Sequence, residues 1–318
     1  MWMLGLKIWK RFSINFTYSN SHVSIQKKRT VTAMKPASFR YHAPKTIEEA
    51  LAMLAEHAPD DGRVLAGGQS LVPTMAFRLA RPTHLVDINN IAALNRLAID
   101  GGKLAIGACV RHTAFHRPPV DGPLGKLLAL VVRHIAHYPI RTRGTFCGSI
   151  ANADPASEWC TVAVALDAEM VARSARGTRV IAAKDFFDSI MTTELRDDEL
   201  LTEVRLPLLP PDTKVGFCEF SRRAGDFAIA MALATYRLKD GKIVEPRVAV
   251  GGAEPYARRI AQAEKALDGQ APAAKAFVAA AEAAAAAVDP MEDVHNSAVY
   301  RRELVLAMTR RALERAAA

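Results

Sequence analysis

The amino-acid sequence predicts a mixed α+β protein with two differently organised regions. Before the Pro210-Pro211 pair, short apolar runs that indicate strands alternate with amphipathic helical segments. After that pair, three strand patterns precede three helical ones, which is typical of a separate α+β domain. At 318 residues the chain is long enough for more than one hydrophobic core. Its apolar runs fall short of the roughly 20 residues of a membrane-spanning helix, so no transmembrane segment is predicted.

The first predicted helix follows a capping box at residues 46–49. A buried strand is predicted over residues 63–66, and it ends at the glycine pair Gly67-Gly68. A short helix over residues 71–79 and a strand over residues 84–88 come next. A strand that leads through paired glycines into a helix places small residues at the strand's carboxyl end.

The middle of the chain predicts hairpins separated by a helix. The segments are a hairpin over residues 97–106, a helix over 124–137 that ends before Tyr138-Pro139, a hairpin over 170–182, and a strand over 200–206 that Pro207 stops. The region after the linker predicts strands over 215–221, 228–238 and 243–250, then helices over 257–267, 272–288 and 298–318. We therefore expect one domain over residues 34–210, with subdomains of about 34–90 and 91–210, and a second over 213–318.

Basic charge is concentrated at the amino terminus. The net charge is +9, and residues 1–33 contribute +6 of it because they contain no acidic residue. The remainder lacks the cluster of Lys and Arg that a nucleic-acid-binding surface requires, so no nucleic-acid partner is expected. We expect residues 1–33 to be an upstream extension outside the fold, with the true start at Met34. A disordered tail and a targeting leader are the alternatives.

The four cysteines, Cys109, Cys147, Cys160 and Cys218, are widely spaced. Without a Cys-x-x-Cys pair, this chain alone is expected to build neither a zinc site nor an iron–sulfur site. No disulfide framework or secretory signal is indicated. A reducing, cytoplasmic setting is therefore expected, with any membrane association occurring through partners.

The segment Ala66-Gly67-Gly68-Gln69-Ser70-Leu71 is the first candidate ligand site. Paired glycines let successive N–H groups face one concave side, and the missing Cβ atoms let a diphosphate approach the backbone. The segment matches neither a dinucleotide-binding fingerprint nor a phosphate-binding loop. Taken alone, the segment is better explained as an ordinary strand-to-helix turn, because short glycine motifs often match by chance.

The segment 145–158 is the second and more specific candidate. Thr145, Ser149 and Asn152 supply polar donors, Gly148 allows close approach, and Glu158 can accept a hydrogen bond from a ribose or an amide. The alternative is a structural loop that ends in a capping acid.

The other groups of polar residues do not predict a functional site. His112 and His116 lack the intervening Glu of a zinc protease, and His134 and His137 are three residues apart on a helix, so neither pair is expected to bind a metal. Cys147 has no adjacent base, which argues against a nucleophile. The stretch 221–228 combines basic and acidic residues and predicts a structural salt bridge.

Together, the two glycine-bearing segments and the stretch 221–228, in this order and spacing, resemble the flavoprotein subunit of the molybdenum hydroxylases. The likeness is closest to the medium, FAD-binding subunit of aerobic carbon monoxide dehydrogenase, with the xanthine dehydrogenase FAD domain a more distant relative. It runs from Met34 to the carboxyl terminus. It implies a vanillyl-alcohol-oxidase-like (p-cresol methylhydroxylase-type) FAD-binding domain of two α/β subdomains, followed by a small C-terminal α+β domain.

The resemblance also implies which residues hold FAD. Ala66, Gly67, Gly68, Gln69, Ser70 and Leu71 would form one cradle, Thr145, Phe146, Cys147, Gly148 and Ser149 a second, with Glu158 and Leu201 as further contacts. Cys147 stands where many relatives have glycine, and Glu158 where many have Asp. Cys218 lies near the position of a flavin-proximal lysine in the xanthine dehydrogenase branch, so no lysine-dependent role is expected.

The resemblance finally implies a place in a heterotrimer. A large molybdopterin subunit hydroxylates the substrate, a small subunit carries two [2Fe–2S] clusters, and this flavin subunit passes electrons to quinone, NAD or oxygen. No catalytic acid, base or metal ligand is expected in this chain. The alternatives are a free-standing FAD-dependent oxidoreductase of the same fold, such as an enolpyruvyl-sugar reductase, and a binding module that uses the basic amino terminus.

Overall fold

The structure is a computed structural model that describes residues 35–318. The extension predicted over residues 1–33 lies outside the described residues. Among residues 35–318, no helix combines the length and the apolar character that are needed to cross a membrane. The described part of the chain contains helices and strands in both of the regions that the sequence distinguishes.

The first sheet has three parallel strands, β1 (Arg40–His42), β2 (Gly62–Leu65) and β3 (His84–Asp87), in the order β1-β3-β2. Helix α1 (Ile47–His57) buries one apolar face against the core. Its N-cap is the predicted Thr46, whose hydroxyl accepts a hydrogen bond from the N–H of Glu49 at 3.1 Å. Helix α2 (Leu71–Ala76) follows β2 after the glycine pair.

The second sheet is antiparallel and has five strands. They are β4 (Leu97–Asp100), β5 (Lys103–Gly107), β6 (Glu169–Ser174), β7 (Gly177–Ala182) and β10 (Leu200–Pro207), in the order β4-β5-β10-β6-β7. A small two-stranded sheet pairs β8 (Phe187–Ser189) with β9 (Thr192–Thr193). Four helices lie between β5 and β6, namely α3 (Pro123–Val131), α4 (Tyr138–Arg143), α5 (Phe146–Asn152) and α6 (Glu158–Ala165).

The carboxyl-terminal region packs helices on a third, antiparallel sheet. Its strands are β11 (Lys214–Phe220), β12 (Ala230–Lys239), β13 (Lys242–Gly251) and β14 (Arg258–Arg259), in chain order. Its helices are α7 (Ala261–Leu267), α8 (Ala274–Ala287) and α9 (Ala298–Ala317). A Cβ on Gly216 of β11 would overlap the Ala312 carbonyl, so glycine at this position lets α9 lie directly on the sheet.

The hydrophobic core joins the two regions. One apolar cluster fills the space between the first two sheets and α3, α5 and α6, and it extends to Phe217, Met231 and Leu233 of the third sheet. A second cluster lies between the third sheet and α7, α8 and α9. Trp159 of α6 is fully buried in the first cluster, against Phe115 and Phe146. The central helix α6 is therefore buried on all sides, unlike an amphipathic surface helix.

The structure corrects three local predictions. The helix predicted over residues 124–137 ends at Val131, and Pro139 lies in the first turn of a separate helix, α4, where proline is tolerated because the N–H has no intrahelical partner. The segment 145–158 is largely the helix α5 and the start of α6, not a loop. Residues 258–259 form an edge strand, so the helix that was predicted to start at residue 257 starts at Ala261.

The salt bridge predicted within residues 221–228 is not formed. Within the described residues, Arg222, Arg223 and Asp226 take part in no ion pair, and the Ser221 hydroxyl instead donates to the Arg223 carbonyl at 2.9 Å. The side chains of Arg222 and Arg223 lie at the surface.

Candidate functional site

A cleft of about 550 Å³ lies between the first two sheets, where both glycine-bearing segments meet. Residues 62–71 border it on one side, and residues 144–152, with the exception of 146 and 150, border it on the other. Residues 191–201, with the exception of 194 and 198, complete the lining together with Ile88, Ala108 and His112. The volume is within the range of small-molecule and cofactor sites, roughly 300–1,000 Å³.

The first glycine-bearing turn (residues 66–70, between β2 and α2) touches the second (residues 143–145, between α4 and α5) at Gly67. A Cβ placed on Gly67 would lie 2.5 Å from the carbonyl oxygen of Arg143 and 2.7 Å from the Cα of Gly144. Both distances are far below van der Waals contact, so residue 67 must lack a side chain for the turns to meet. Gly68 has φ of +71°, in the left-handed region that glycine occupies without steric cost.

Hydrogen bonds brace the contact from behind. The guanidinium of Arg111 donates to the Arg143 carbonyl and, at 2.6 Å, to Oδ1 of Asn89. The amide of Asn89 donates to the Ala66 carbonyl at 2.8 Å, and its backbone N–H donates to Asp87 at 2.9 Å. A network of side-chain hydrogen bonds through Asn89 and Arg111 therefore joins the first turn to the second.

The first turn, at the border of the cleft, contains unpaired backbone donors. Within the described part of the chain, the N–H groups of Gly67, Gly68, Gln69 and Ser70 have no acceptor. A backbone N–H that is removed from water and finds no other acceptor costs free energy. These donors therefore suit an anionic ligand such as a diphosphate, which can accept their hydrogen bonds. The fit is a property of the backbone and needs no charged side chain.

The second turn is held by its own cap. The Thr145 hydroxyl accepts from the N–H of Gly148 at 3.0 Å and begins α5. Residues 110–112 pair with residues 144–146 in a short antiparallel contact, in which the N–H of His112 donates to the Gly144 carbonyl at 3.0 Å. The turn is therefore fixed in position before any ligand binds.

His112 is buried beneath this turn in a defined tautomer. The indole N–H of Trp159 donates to its Nδ1 at 3.0 Å, and because an indole nitrogen only donates, the proton of the neutral ring is on Nε2. Burial, with smaller contributions from Arg141 and Arg111, lowers the pKa of His112 to about 4. A Cβ on Gly144 would lie 2.6 Å from Nε2, so glycine there makes room for the imidazole.

The predicted site residues divide into those that line the cleft and those behind it. Eleven of the thirteen line it: Ala66, Gly67, Gly68, Gln69, Ser70, Leu71, Thr145, Cys147, Gly148, Ser149 and Leu201. Phe146 and Glu158 do not. The side chain of Phe146 is fully buried and packs against Trp159. The Cys147 thiol is buried and donates to the Ile106 carbonyl at 3.3 Å, and burial raises its pKa, as expected for a structural cysteine.

Glu158 lies in the protein interior at the start of α6, where 8% of its surface is exposed. Burial raises the pKa of its carboxyl to about 8, and the nearby Glu219 of β11 contributes further. One carboxylate oxygen of Glu219 is itself buried without a partner among the described residues. Glu158 is therefore mostly protonated at neutral pH, and it sits between the two regions instead of in the cleft.

The histidine pairs singled out in the sequence do not converge on a common point. His112 bonds Trp159, whereas His116 accepts from Arg141 at 3.1 Å. His134 lies 3.4 Å from Glu219 of the third sheet, and a Cβ on Gly225 would overlap the ring of His137. Each ring belongs to a separate packing arrangement.

Several lining and supporting residues could not be found from the sequence motifs. Glu199 lines the cleft, and its carboxylate is held by Arg179 at 2.8 Å and by the N–H of Arg196 at 2.8 Å. Arg111 and Asn89 have no local pattern that distinguishes them from other surface polar residues. Their roles arise from partners that are distant in sequence, so no spacing rule indicates them.

Comparison with known proteins decides the family. A family model described as the FAD binding domain in molybdopterin dehydrogenase matches residues 37–209. A second model, the CO dehydrogenase flavoprotein C-terminal domain, matches residues 216–316. The chain belongs to the FAD-binding subunit family of the molybdopterin dehydrogenases. The predicted family and the predicted FAD cofactor are confirmed.

Similar proteins in this family include the nicotine 6-hydroxylase medium subunit of Paenarthrobacter nicotinovorans, which is 38% identical over 90% of this chain and 99% of its own length. The carbon monoxide dehydrogenase medium chain of Hydrogenophaga pseudoflava is 34% identical over 89% of this chain and 98% of its own. Flavin oxidoreductase subunits of this family thus match the chain along almost their whole length.

Solved structures agree with that assignment. A chain of the carbon monoxide dehydrogenase from Hydrogenophaga pseudoflava superposes with a TM-score of 0.85 at 36% identity, covering 88% of this chain and 98% of that one. A chain of quinoline 2-oxidoreductase from Pseudomonas putida 86 gives 0.83 at 35% identity, covering 89% and 98%. The predicted mixed fold, an FAD-binding domain followed by a carbon monoxide dehydrogenase-type C-terminal domain, is therefore confirmed at this level.

Proposed function

We propose that this chain is the flavin subunit of a heterotrimeric molybdenum hydroxylase and that the cleft between its glycine-bearing turns holds the FAD diphosphate. The observation that carries the proposal is the contact of Gly67 with Arg143 and Gly144 at the edge of a cleft lined by unpaired N–H groups. The fold we infer is the vanillyl-alcohol-oxidase-like type, with subdomains at about residues 34–90 and 91–210 and a second domain at residues 213–318.

The residues proposed to hold FAD are those that line the cleft. Backbone N–H groups of residues 67–70 would donate to the diphosphate, and the neutral Nε2–H of His112 offers a further donor beneath the second turn. Phe146 and Glu158 would act from behind the cleft by holding α5 and α6 in place. Leu201 contributes an apolar surface at the far side of the cleft.

Bound FAD would supply the redox chemistry, in which electrons from the [2Fe–2S] clusters of a small partner subunit leave to an external acceptor. This chain's residues bind and orient the cofactor. Of the acidic and imidazole side chains that line the cleft, Glu199 is tied to Arg179, Asp197 lies 3.9 Å from the Arg63 guanidinium, and His112 stays neutral above pH of about 4. This arrangement favours electron transfer over a free-standing oxidoreductase, which needs its own acid or base near the flavin. The large partner would be the molybdopterin subunit, and the setting cytoplasmic.

The test uses the full chain alone and in its complex. Titration of the flavin-free chain with FAD, followed by flavin fluorescence, should give one FAD per chain. In the complex that co-purifies with the iron–sulfur and molybdopterin subunits, removal of FAD should abolish electron transfer to a dye acceptor, and added FAD should restore it. Turnover of a small substrate by the isolated chain with NADPH would instead support the free-standing oxidoreductase.

A further inference from the structure

Three histidines from separate elements meet on one face of the first sheet. His42 ends β1, His57 ends α1, and His84 begins β3. One nitrogen from each ring lies within 4.8 Å of the corresponding nitrogens of the other two. Among residues 35–318, it is the one place where three side chains that could bind a metal come this close together. None of the three lines the flavin cleft.

Strand register places two of the rings side by side. His84 pairs with Arg40 of β1, and His42 lies two residues beyond Arg40, so both histidines project from the same face of the sheet. Their ring nitrogens, Nε2 of His42 and Nδ1 of His84, are 2.9 Å apart. The pair is therefore fixed by the parallel pairing of β1 with β3.

A glycine admits the third ring. Gly62 of β2 is the other register partner of His84, and a Cβ on Gly62 would lie 2.6 Å from the carbonyl oxygen of His57 and 3.0 Å from its Cβ. The carboxyl end of α1 therefore packs where a side chain at residue 62 would stand. As a result the His57 ring stacks on that of His84, with centroids 4.0 Å apart.

We propose that His42, His57 and His84 form a site for a divalent transition metal that prefers imidazole ligands, with Zn²⁺ as the representative ion. Three protein ligands and a water give the four-coordinate geometry that zinc favours. Tetrahedral Zn–N bonds of about 2.0–2.1 Å separate ligand nitrogens by about 3.3 Å. Nitrogens that are up to 4.8 Å apart need to close by at most about 1.5 Å, and the His42–His84 pair at 2.9 Å needs to open by about 0.4 Å.

The surroundings fit a cation. The carboxylate of Glu56 lies 3.9 Å from Nε2 of His57 and can balance charge or orient a metal-bound water. His84 is buried, and the other two rings are partly exposed, so an ion can reach the site from solvent. The rings now stack with interplanar angles of 7–29°, and binding requires rotation of the side chains so that their lone pairs converge.

A metal ion at this site would stabilise the fold and would take no part in the redox reaction. It ties the end of β1 and the end of α1 to the start of β3, at the opposite end of β2 from the glycine pair. A bound ion would therefore stabilise the subdomain that carries the first FAD turn, and the proposal does not depend on which cofactor the cleft holds.

The experiment uses the full chain, purified with a tag that contains no histidine and stripped with a chelator. After incubation with ZnCl₂ and gel filtration, mass spectrometry should find one zinc per chain, and X-ray absorption at the zinc edge should show three imidazoles. Competition with a chromophoric chelator should show that His57→Asn and His84→Asn each weaken zinc binding by about ten-fold or more. The exposed His137 belongs to none of these elements, and His137→Asn should bind zinc as the unaltered chain does.

Two results would overturn the proposal. One is an unaltered chain that retains far less than one zinc, or whose zinc has sulfur ligands. The other is wild-type affinity in the His57 and His84 variants. FAD content and circular dichroism show whether a variant is folded, and His42→Asn, at the end of a short strand, provides a further variant if either of the first two unfolds.

Discussion

Gly67 and Gly144 are in direct backbone contact although they lie 77 positions apart in the sequence: a Cβ on Gly67 would come within 2.7 Å of the Cα of Gly144. The contact brings the end of β2 against the turn before α5 and closes one end of the cleft. Close approach of two main chains, braced by the hydrogen bonds of Arg111 and Asn89, therefore sets the geometry of the proposed diphosphate site.

The variant Gly67→Ala should separate the two turns. An added methyl group in so tight a contact typically costs about 1–3 kcal/mol, and here the displacement falls on the cleft itself. We expect FAD affinity to fall by about ten-fold or more, since each 1.4 kcal/mol is a factor of ten. Fluorescence titration with FAD measures the affinity, and thermal unfolding of the flavin-free chain measures the stability.

The matched control is Gly269→Ala. Gly269 also precedes a helix, and a Cβ there meets nothing within 4 Å, but unlike Gly67 it has a positive φ, of +73°. This variant should lose some stability to backbone strain and bind FAD with unchanged affinity. Normal FAD binding by Gly67→Ala would contradict the role of the contact.

Arg111 should be needed for the alignment of the turns even though its charge is not. Its guanidinium donates one hydrogen bond to Asn89 and another to the Arg143 carbonyl. A lysine ammonium cannot reproduce this planar geometry with two donors. Arg111→Lys should therefore weaken FAD binding by about five- to ten-fold, or roughly 1 kcal/mol, the scale of one hydrogen bond. Arg222→Lys, at an exposed position without an ion pair among the described residues, is the control. Equal FAD affinities of the two variants would show that the bracing network is dispensable.

His112 should make folding stability fall in acid. Its pKa is about 4 in the folded chain and near 6.5 when unfolded. Between these values the unfolded chain binds a proton that the folded chain does not, so stability is constant above pH of about 6.5 and falls as pH drops towards 4. The full loss is about 3 kcal/mol.

Two substitutions separate titration from hydrogen bonding at this residue. His112→Gln retains an acceptor for the Trp159 indole and cannot titrate. The free energy of unfolding, measured with urea, should therefore decrease less below pH of about 6.5 than it does in the unaltered chain. His112→Leu also removes the titration, but it leaves the indole N–H unsatisfied at a cost of about 1–3 kcal/mol at pH 7. If both variants keep the acid-side slope of the unaltered chain, another group causes it.

Local patterns predicted most of the secondary structure. The capping box at Thr46 and the hairpins flanking Gly101 and Gly177 are formed where periodicity and turn residues place them. These features depend on residues a few positions apart, which a sequence displays directly. The two turns that we propose for FAD are also recognisable, because glycine and small polar residues stand together in each.

The rest depends on contacts between distant segments. Helix α5 contains glycine and alanine and is preceded by Thr145, a composition that suits a loop equally well, and its burial against the core decides the outcome. Similarly, Glu158 is polar in sequence and buried in the fold, which no local pattern signals. The cluster of His42, His57 and His84 forms through strand register and through the packing of α1 against Gly62.

Glu158 should oppose stability at alkaline pH. Its pKa is about 8 in the folded chain, against a usual value of 4.5. Between these values the folded chain holds a proton that the unfolded chain releases, so stability falls as pH rises from about 4.5 to 8 and then levels off. Glu158→Gln removes the titration and should be more stable than the unaltered chain at pH 8, by on the order of 2–4 kcal/mol. Urea unfolding at pH 6, 7 and 8 measures the trend.

The same variant also tests where Glu158 acts. Because its side chain lies outside the cleft, Glu158→Gln should keep FAD affinity within about two-fold, a difference near 0.4 kcal/mol. Glu282→Gln, at an exposed position of α8, should change stability by no more than about 0.5 kcal/mol at any of these pH values. A large loss of FAD affinity in Glu158→Gln would mean that the carboxyl contacts the cofactor, and the cleft would then have to extend to the start of α6.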